Sequence, residues 1–287
     1  MAVTAEDVKR LREKTGAGMM ECKNALVSTN GDIGAAEKLL KEKGLAALEK
    51  RSGRATNEGK VFVKTREDGS AAVAVELASE TDFVARNPEF IALGGSIAEQ
   101  ALEKGYTEPN EELSSLVTDL ATKIRENMSL KRLKVLKATA NEYLTQYIHG
   151  DGNIGVIVKF NADKPGVFAD QEAKDFAFTI ALHIAAFNPL ALSREKLDPA
   201  YIKEQEDIFR KQMEGDEKLG KLKDSKPDQF EKILGGKLNK LLSEICLLEQ
   251  GYVKDEKISV SKALEEWGKK TGAKLSVSDY VYFKVGQ

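Results

Sequence analysis

The stretch Val61-Phe62-Val63-Lys64-Thr65, then Asp68-Gly69, then Ala72-Val73-Ala74-Val75-Glu76-Leu77 decides the fold class. Two β-rich runs around an Asp-Gly pair spell a hairpin, because Asp and Gly supply the backbone angles of a tight turn. Asn87-Pro88-Glu89 then opens a helix with a capping side chain, a proline in the first turn and an acid after it. This helix is expected over residues 88–104, before Gly105, and a second one over 110–127. A hairpin followed by helices is an α+β unit.

Downstream the pattern returns. Residues 129–138 alternate around Leu130, Leu133 and Val135. Tyr143-Leu144-Thr145-Gln146-Tyr147-Ile148 and Ile154-Gly155-Val156-Ile157-Val158 flank the turn His149-Gly150-Asp151-Gly152-Asn153, and a helix over 170–187 stops before Asn188-Pro189. The middle of the chain thus presents a hairpin plus helix twice, a weak internal duplication expected to give two α+β units side by side.

Upstream lies a set of short helices. Thr4 caps the first, with Glu6 and Asp7 in its first turn, Val8 and Leu11 on its apolar side, and Thr15-Gly16 at its end. Gly16-Ala17-Gly18-Met19-Met20 is a tight apolar turn into a helix carrying Cys22, Leu26 and Val27. Asn30-Gly31 breaks it and Asp32 caps a third helix, with Ile33, Ala36, Leu39 and Leu40 at helical spacing and Gly44 as the expected stop. Two readings of Met19 and Met20 stay open: a docking surface bracketed by glycines, or filling for a small core. Residues 50–58 are polar, lack periodicity and read as a linker.

Residues 198–246 carry two apolar stripes, Tyr201, Ile202, Ile208, Phe209 and Met213, then Phe230, Ile233, Leu234, Leu238, Leu241, Leu242 and Ile245. A charged connector over 215–228 joins them. Two helices folded into an antiparallel coiled-coil hairpin fit this pattern, either as a projecting arm or as a pair packed on the core. A helix over 261–270 and a strand over 275–285 close the chain.

Composition removes several functions. Lys plus Arg (44) nearly balance Asp plus Glu (46), so the overall basic excess of a nucleic-acid binder is missing. Residues 1–54 alone carry a small basic excess, which can steer an acidic partner or simply solvate a helical surface. Cys22 and Cys246 are far apart and, with His149 and His183, give no disulfide framework and no zinc spacing. No apolar run spans a bilayer, and Met1-Ala2-Val3-Thr4-Ala5-Glu6-Asp7 lacks the character of a signal peptide, so a cytoplasmic protein away from membranes is expected. Neither a phosphate loop, a dinucleotide turn, a nucleophile elbow nor a paired-histidine helix occurs. His149 on its Gly-rich turn is the best single candidate for proton transfer, but no partner is visible, and His183 reads as structural. The chain is therefore not expected to be an enzyme or to need a cofactor.

The most unusual segment is Glu80-Thr81-Asp82-Phe83-Val84-Ala85-Arg86-Asn87, between a strand and a capped helix. Either Phe83 tucks into the core while Asp82 solvates the turn, or the two form a probe. An aromatic ring makes a strong interface anchor, and a carboxylate competes for a cation or its water ligands.

Here the chain resembles bacterial elongation factor Ts. Thr81-Asp82-Phe83-Val84-Ala85 is similar to that family's signature loop, and the opening from Leu11-Arg12-Glu13-Lys14-Thr15-Gly16-Ala17-Gly18-Met19-Met20 through Asn30-Gly31-Asp32 resembles the family's start. Glu126-Asn127 ahead of Lys131-Arg132, Tyr147-Ile148-His149-Gly150 and His183-Ile184-Ala185-Ala186 agree in order. Ser79-Glu80 stand where a Cys then an acid or amide is common, and Arg125 where a Gly often precedes Glu-Asn.

The resemblance implies a guanine nucleotide exchange factor of translation elongation, with no catalytic chemistry of its own. Its partner would be elongation factor Tu, GDP-bound and nucleotide-free, in a dimer or heterotetramer. Thr81, Asp82, Phe83 and Val84 would form a loop that displaces the partner's magnesium, so that GDP leaves and GTP can bind. Gly18, Met19, Met20, Lys23, Ile124 and His149 match partner-contact positions. The implied architecture is a ubiquitin-associated-like three-helix domain over 1–52, a linker over 53–57, a core N-subdomain over 58–140 and a C-subdomain over 141–197 and 247–287. The coiled-coil arm over 198–246 is inserted in the latter. A passive adaptor remains the alternative; replacing Asp82 and Phe83 would spare it.

Overall fold

A computed structural model describes residues 3–287; Met1 and Ala2 of the opening stretch lie outside the described residues. The fold is α+β, with eleven α-helices and eight strands among the described residues. The chain forms two compact units. The first runs to Lys137 and includes 148–155 and 283–287; the second comprises 138–147 and 156–282. No helix of the described residues is long and apolar enough to cross a membrane.

The first unit opens with α1 (Ala5–Thr15), α2 (Met19–Ser28) and α3 (Ile33–Glu49). Thr4 and Asp7 cap α1 reciprocally, and Gly16 in the left-handed region closes it. Val8, Leu11, Cys22, Ala25, Leu26, Ala36 and Leu40 form a small common core. Met19 and Met20 are exposed and do not fill it. The expected stop at Gly44 is also corrected, since α3 runs through it to Glu49. The glycine serves packing instead. A Cβ on Gly44 would stand 2.2 Å from Thr122 Cγ2 on α6 (Glu111–Ile124), so its absence lets two helices meet closely.

Strands β1 (Glu58–Thr65), β2 (Ala71–Ser79) and β3 (Met128–Lys137) form one antiparallel sheet in the order β1-β2-β3. The alternating run after residue 128 therefore completes the first sheet. Strand β2 is buried along its whole length, as a central strand covered on both faces must be. Its Val73, Val75 and Leu77 pack with Phe90, Ile97 and Leu102 of α5 (Pro88–Lys104) and with Leu113 and Val117 of α6. Each such side chain contributes about 1.5–3 kcal/mol on burial. The opposite face holds a charge. Glu76, fully buried, pairs across the strands with Arg132 at 2.5 Å. Arg132 also donates to Lys284 O (2.9 Å) and lies 4.4 Å from the Phe283 ring centroid.

The second unit holds the greater part of β4 (Glu142–His149), β5 (Ile154–Ala162) and β8 (Leu275–Lys284), in the order β4-β5-β8. With them go α7 (Gln171–Phe187), α11 (Val260–Thr271) and a short ribbon, β6 (Gly251–Tyr252) with β7 (Asp255–Ser259), which the sequence reading missed. The helices α8 (Pro199–Gly215) and α10 (Pro227–Ile245) run in opposite directions. Tyr201 and Ile202 share a cluster with Leu238, Leu242 and Ile245, whereas Phe209 and Met213 share one with Phe230, Ile233 and Leu234. The connector is not plain loop: α9 (Gly220–Ser225) forms there and turns Leu222 into the tip cluster beside Leu219. Ile208, expected in the stripe, is exposed.

His183 on α7 is buried, with Nε2 3.0 Å from Gln250 Oε1. Gln250 Nε2 donates to Glu244 O (2.7 Å), so its oxygen faces the imidazole and His183 Nε2 carries the proton. Nδ1 is left as a bare lone pair without a partner. Burial accordingly holds the imidazole below its ordinary value near 6.5, against the hydrogen bond it donates to Gln250, which acts the other way. The folded state stays neutral while the unfolded chain takes up a proton as pH drops through 6.5. The contribution is thus complete above that pH and lost below it. Acid should cost up to about 1.4 kcal/mol per pH unit at this site. His183→Gln should flatten that part of a plot of melting temperature against pH; an unchanged slope between pH 7 and 5 would remove His183 as its source.

Candidate functional site

Asp82-Phe83 sits on α4 (Asp82–Ala85), a single helical turn within the segment read from sequence as a loop. Two opposed demands explain the turn. Val84 and Ala85 are buried in the core of the first sheet, while Phe83 is 80% exposed and Asp82 about half exposed. The ring thus stands in solvent on a base anchored one residue later. Ser79 Oγ donates to Thr81 O (3.0 Å), and Thr81 Oγ1 caps Val84 N (3.4 Å). Thr81 Oγ1 also donates to the Glu126 carboxylate at 3.0 and 3.1 Å. Asp82 is ion-paired with Arg86 at 3.2 Å.

The departures at Ser79-Glu80 and Arg125 are accommodated here. Glu80 Oε1 accepts Asn127 N (2.6 Å) and Oε2 accepts Arg54 Nη1 (3.0 Å). The backbone amide, with help from Arg54, holds the Glu80 acid below its usual value despite the opposing effect of desolvation. Arg125 takes the left-handed φ of +67° that ends α6, a conformation glycine adopts without strain. Its carbonyl accepts Arg51 Nη1 (2.7 Å) and its guanidinium pairs with Glu21 on α2. Those contacts favour the conformation that an arginine alone would avoid.

On the other side of β1, Lys60 is buried and donates to Asp151 O (2.6 Å), with Asp151 Oδ2 also at 2.6 Å. Val61 N donates to Gly152 O (2.8 Å), so the turn that carries His149 is stitched to β1. Lys60 chiefly, and Arg86 more weakly, lower the Asp151 acid. Arg86 thus acts weakly on the Asp151 acid as well as pairing with Asp82. A shallow groove of about 640 Å³ adjoins the His149 turn, lined by β1, Ile91, Gly95 and Ile148 among others. Its open polar and apolar walls suit a macromolecular surface more than an enclosed small ligand.

The remaining candidates are spread along the same unit. His149 is exposed. Gly18 is the N-cap of α2, with its N–H on Glu21 Oε2 (3.0 Å). Met19, Met20, Lys23 and Val27 form an exposed face of α2, with Met20 at 64%. Ile124 is half-buried against the first core, and Val84 is fully inside it, so neither presents its side chain to solvent as Phe83 does. The sequence reading missed Lys60, Asp151 and the Glu21–Arg125 pair. Partners so far apart along the chain leave no periodic signal.

A family model described as Elongation factor TS matches residues 80–287. Elongation factor Ts of Treponema denticola is 52% identical over 287 residues, covering 100% of this chain and 99% of that relative. Elongation factor Ts of Treponema pallidum (strain Nichols) is 46% identical over 295 residues, with 100% and 99% covered. The protein of the same name from Borrelia recurrentis is 41% identical over 290 residues, with both chains covered completely.

Proposed function

We propose, given that this chain belongs to the elongation factor Ts family and so to the translation elongation factors, that it is the guanine nucleotide exchange factor of elongation factor Tu. The observation that carries the reading is the exposed Phe83 beside Asp82 on a buried, capped base. A large aromatic ring left in water loses the free energy that burial would return, which makes it a strong anchor once a partner covers it.

In this reading α2 docks first, through Met19, Met20 and Lys23, as a ubiquitin-associated-like domain would. The Asp82-Phe83 tip then enters near the partner's magnesium, parts its side chains and loosens the phosphate-binding loop around GDP. His149, exposed on its own turn, extends the contact. The helices α8 and α10 form the coiled-coil arm as a further contact. The protein works in the cytoplasm and transforms nothing itself.

Linkage sets the scale. The factor weakens nucleotide binding by the same ratio as nucleotide weakens factor binding. A ratio of ~10⁴ requires about 5.5 kcal/mol of coupling. One ring falls short of that, so several docking elements must hold the distorted partner together. The separate exposed surfaces on α2, α4 and the His149 turn support such a division.

The test is stopped-flow release of fluorescent GDP from elongation factor Tu, with and without this protein. Strong, concentration-dependent acceleration is expected. Stable binding without acceleration would replace the exchange reading with a passive adaptor.

A further inference from the structure

Glu126 is outside the exposed tip, yet it holds the hydroxyl on which the tip turns. The α4 helix has only four residues, too few for its own hydrogen bonds to define its orientation. Phe83 cannot orient itself by packing, because most of its surface is in solvent. What fixes the ring is the base. Val84 and Ala85 pin its far end, and Thr81 pins its near end by capping Val84 N while donating to both Glu126 oxygens.

Glu126 is itself placed by its neighbours. Arg125 in the left-handed region reverses the chain after α6, so adjacent side chains reach opposite ways. Arg125 goes to Glu21 in the first turn of α2, and Glu126 goes to Thr81. Asn127 fixes the next step: its N–H is on Glu80 Oε1, and its amide donates to Ser52 O (3.3 Å) and Arg54 O (2.9 Å). One short segment thereby touches both the first turn of α2 and the base of the tip.

We infer that Glu126 is a positioning residue for Phe83, holding the tip through Thr81 in fixed register with α2. This rests on the exchange reading. Without Glu126 the turn explores more orientations, and only the fraction in the right one works. The rate of nucleotide release falls with that fraction, whereas complex formation, spread over several surfaces, changes less.

The experiment compares the parent, Glu126→Ala, Glu126→Gln, Phe83→Ala and the Glu126→Ala/Phe83→Ala double variant in saturating GDP release from elongation factor Tu, with thermal melts alongside. Glu126→Ala should lower the rate about tenfold, the scale of a lost hydrogen bond to a charged group. Glu126→Gln retains an oxygen acceptor for Thr81 and should keep most of the rate. In the Phe83→Ala background, Glu126→Ala should have no further effect, because it acts through the ring. Equal losses in both backgrounds would mean that Glu126 merely supports the fold, and full activity of Glu126→Ala would also overturn its role. Thr81→Ala breaks the contact from the other side and should give the same loss even where Glu126→Ala does not fold; an unaffected rate there overturns the inference. A parent that accelerates nothing sinks the exchange reading as well, a result separate from an active parent indifferent to Glu126.

Discussion

Phe83→Ala should slow saturating GDP release from elongation factor Tu by at least about 30-fold while weakening complex formation far less. The size follows from the aromatic anchor. Interface hot spots cost 2 kcal/mol or more on truncation, and 2 kcal/mol on a barrier is about 30-fold in rate. The split follows from where the ring stands. Phe83 is mostly in solvent and contributes little to the core, so its loss leaves the buried Val84 and Ala85 base intact. The exposed face of α2, with Met19, Met20 and Lys23, is elsewhere in the first unit and keeps its side chains. Binding measured by titration and release measured by stopped flow should therefore separate. A variant that lost affinity and rate in equal proportion would show that the ring only helps the partners adhere, and the wedge would be abandoned.

Arg132→Ala should destabilise the first sheet by about 3 kcal/mol. Its guanidinium is partly exposed, but its partner Glu76 is not exposed at all. Removing one member of such a pair leaves a carboxylate in the sheet interior without its counter-charge, a loss of 3–5 kcal/mol for fully buried pairs. Partial exposure of Arg132 puts the value at the low end. The same side chain covers Phe283 and donates to Lys284 O, so the chain end should loosen too. Replacing both partners, as in Glu76→Leu/Arg132→Met, removes the stranded charge and should recover most of the loss. Urea midpoints of parent, single and double variants measure this. A single variant as stable as the parent would mean that water or another cation satisfies Glu76. The many pairs on the surface, such as Lys9–Glu13, deserve no comparable expectation, since exposed ion pairs contribute little.

Much of the fold was legible because its signals are local. Thr4, Asp32 and Asn87 each cap the helix their position suggested, through bonds to backbone amides two or three residues on. The Asp68-Gly69 turn joins β1 to β2 as the alternation implied, with Gly69 at φ +71°. Gly44 misled for a clear reason. Sequence cannot distinguish a glycine that stops a helix from one that admits a neighbour, and Thr122, the neighbour in question, is far along the chain.

The site divides in the same way. By itself the sequence determined several of the caps, the helix periods and the order of the longer strands and helices. It also singled out the Thr81-Asp82-Phe83 segment as unusual and, by resemblance, assigned a family. All of these depend on residues within a few positions of one another or on motifs in fixed order. Only the tertiary structure decided whether Phe83 points inward or outward, because that choice depends on whether Val84 and Ala85 already fill the core beneath it. Only it paired Glu76 with Arg132, Lys60 with Asp151, Glu21 with Arg125 and Thr81 with Glu126. A side chain finds such partners through packing of distant segments, and nothing in its own neighbours along the chain states which of them will arrive.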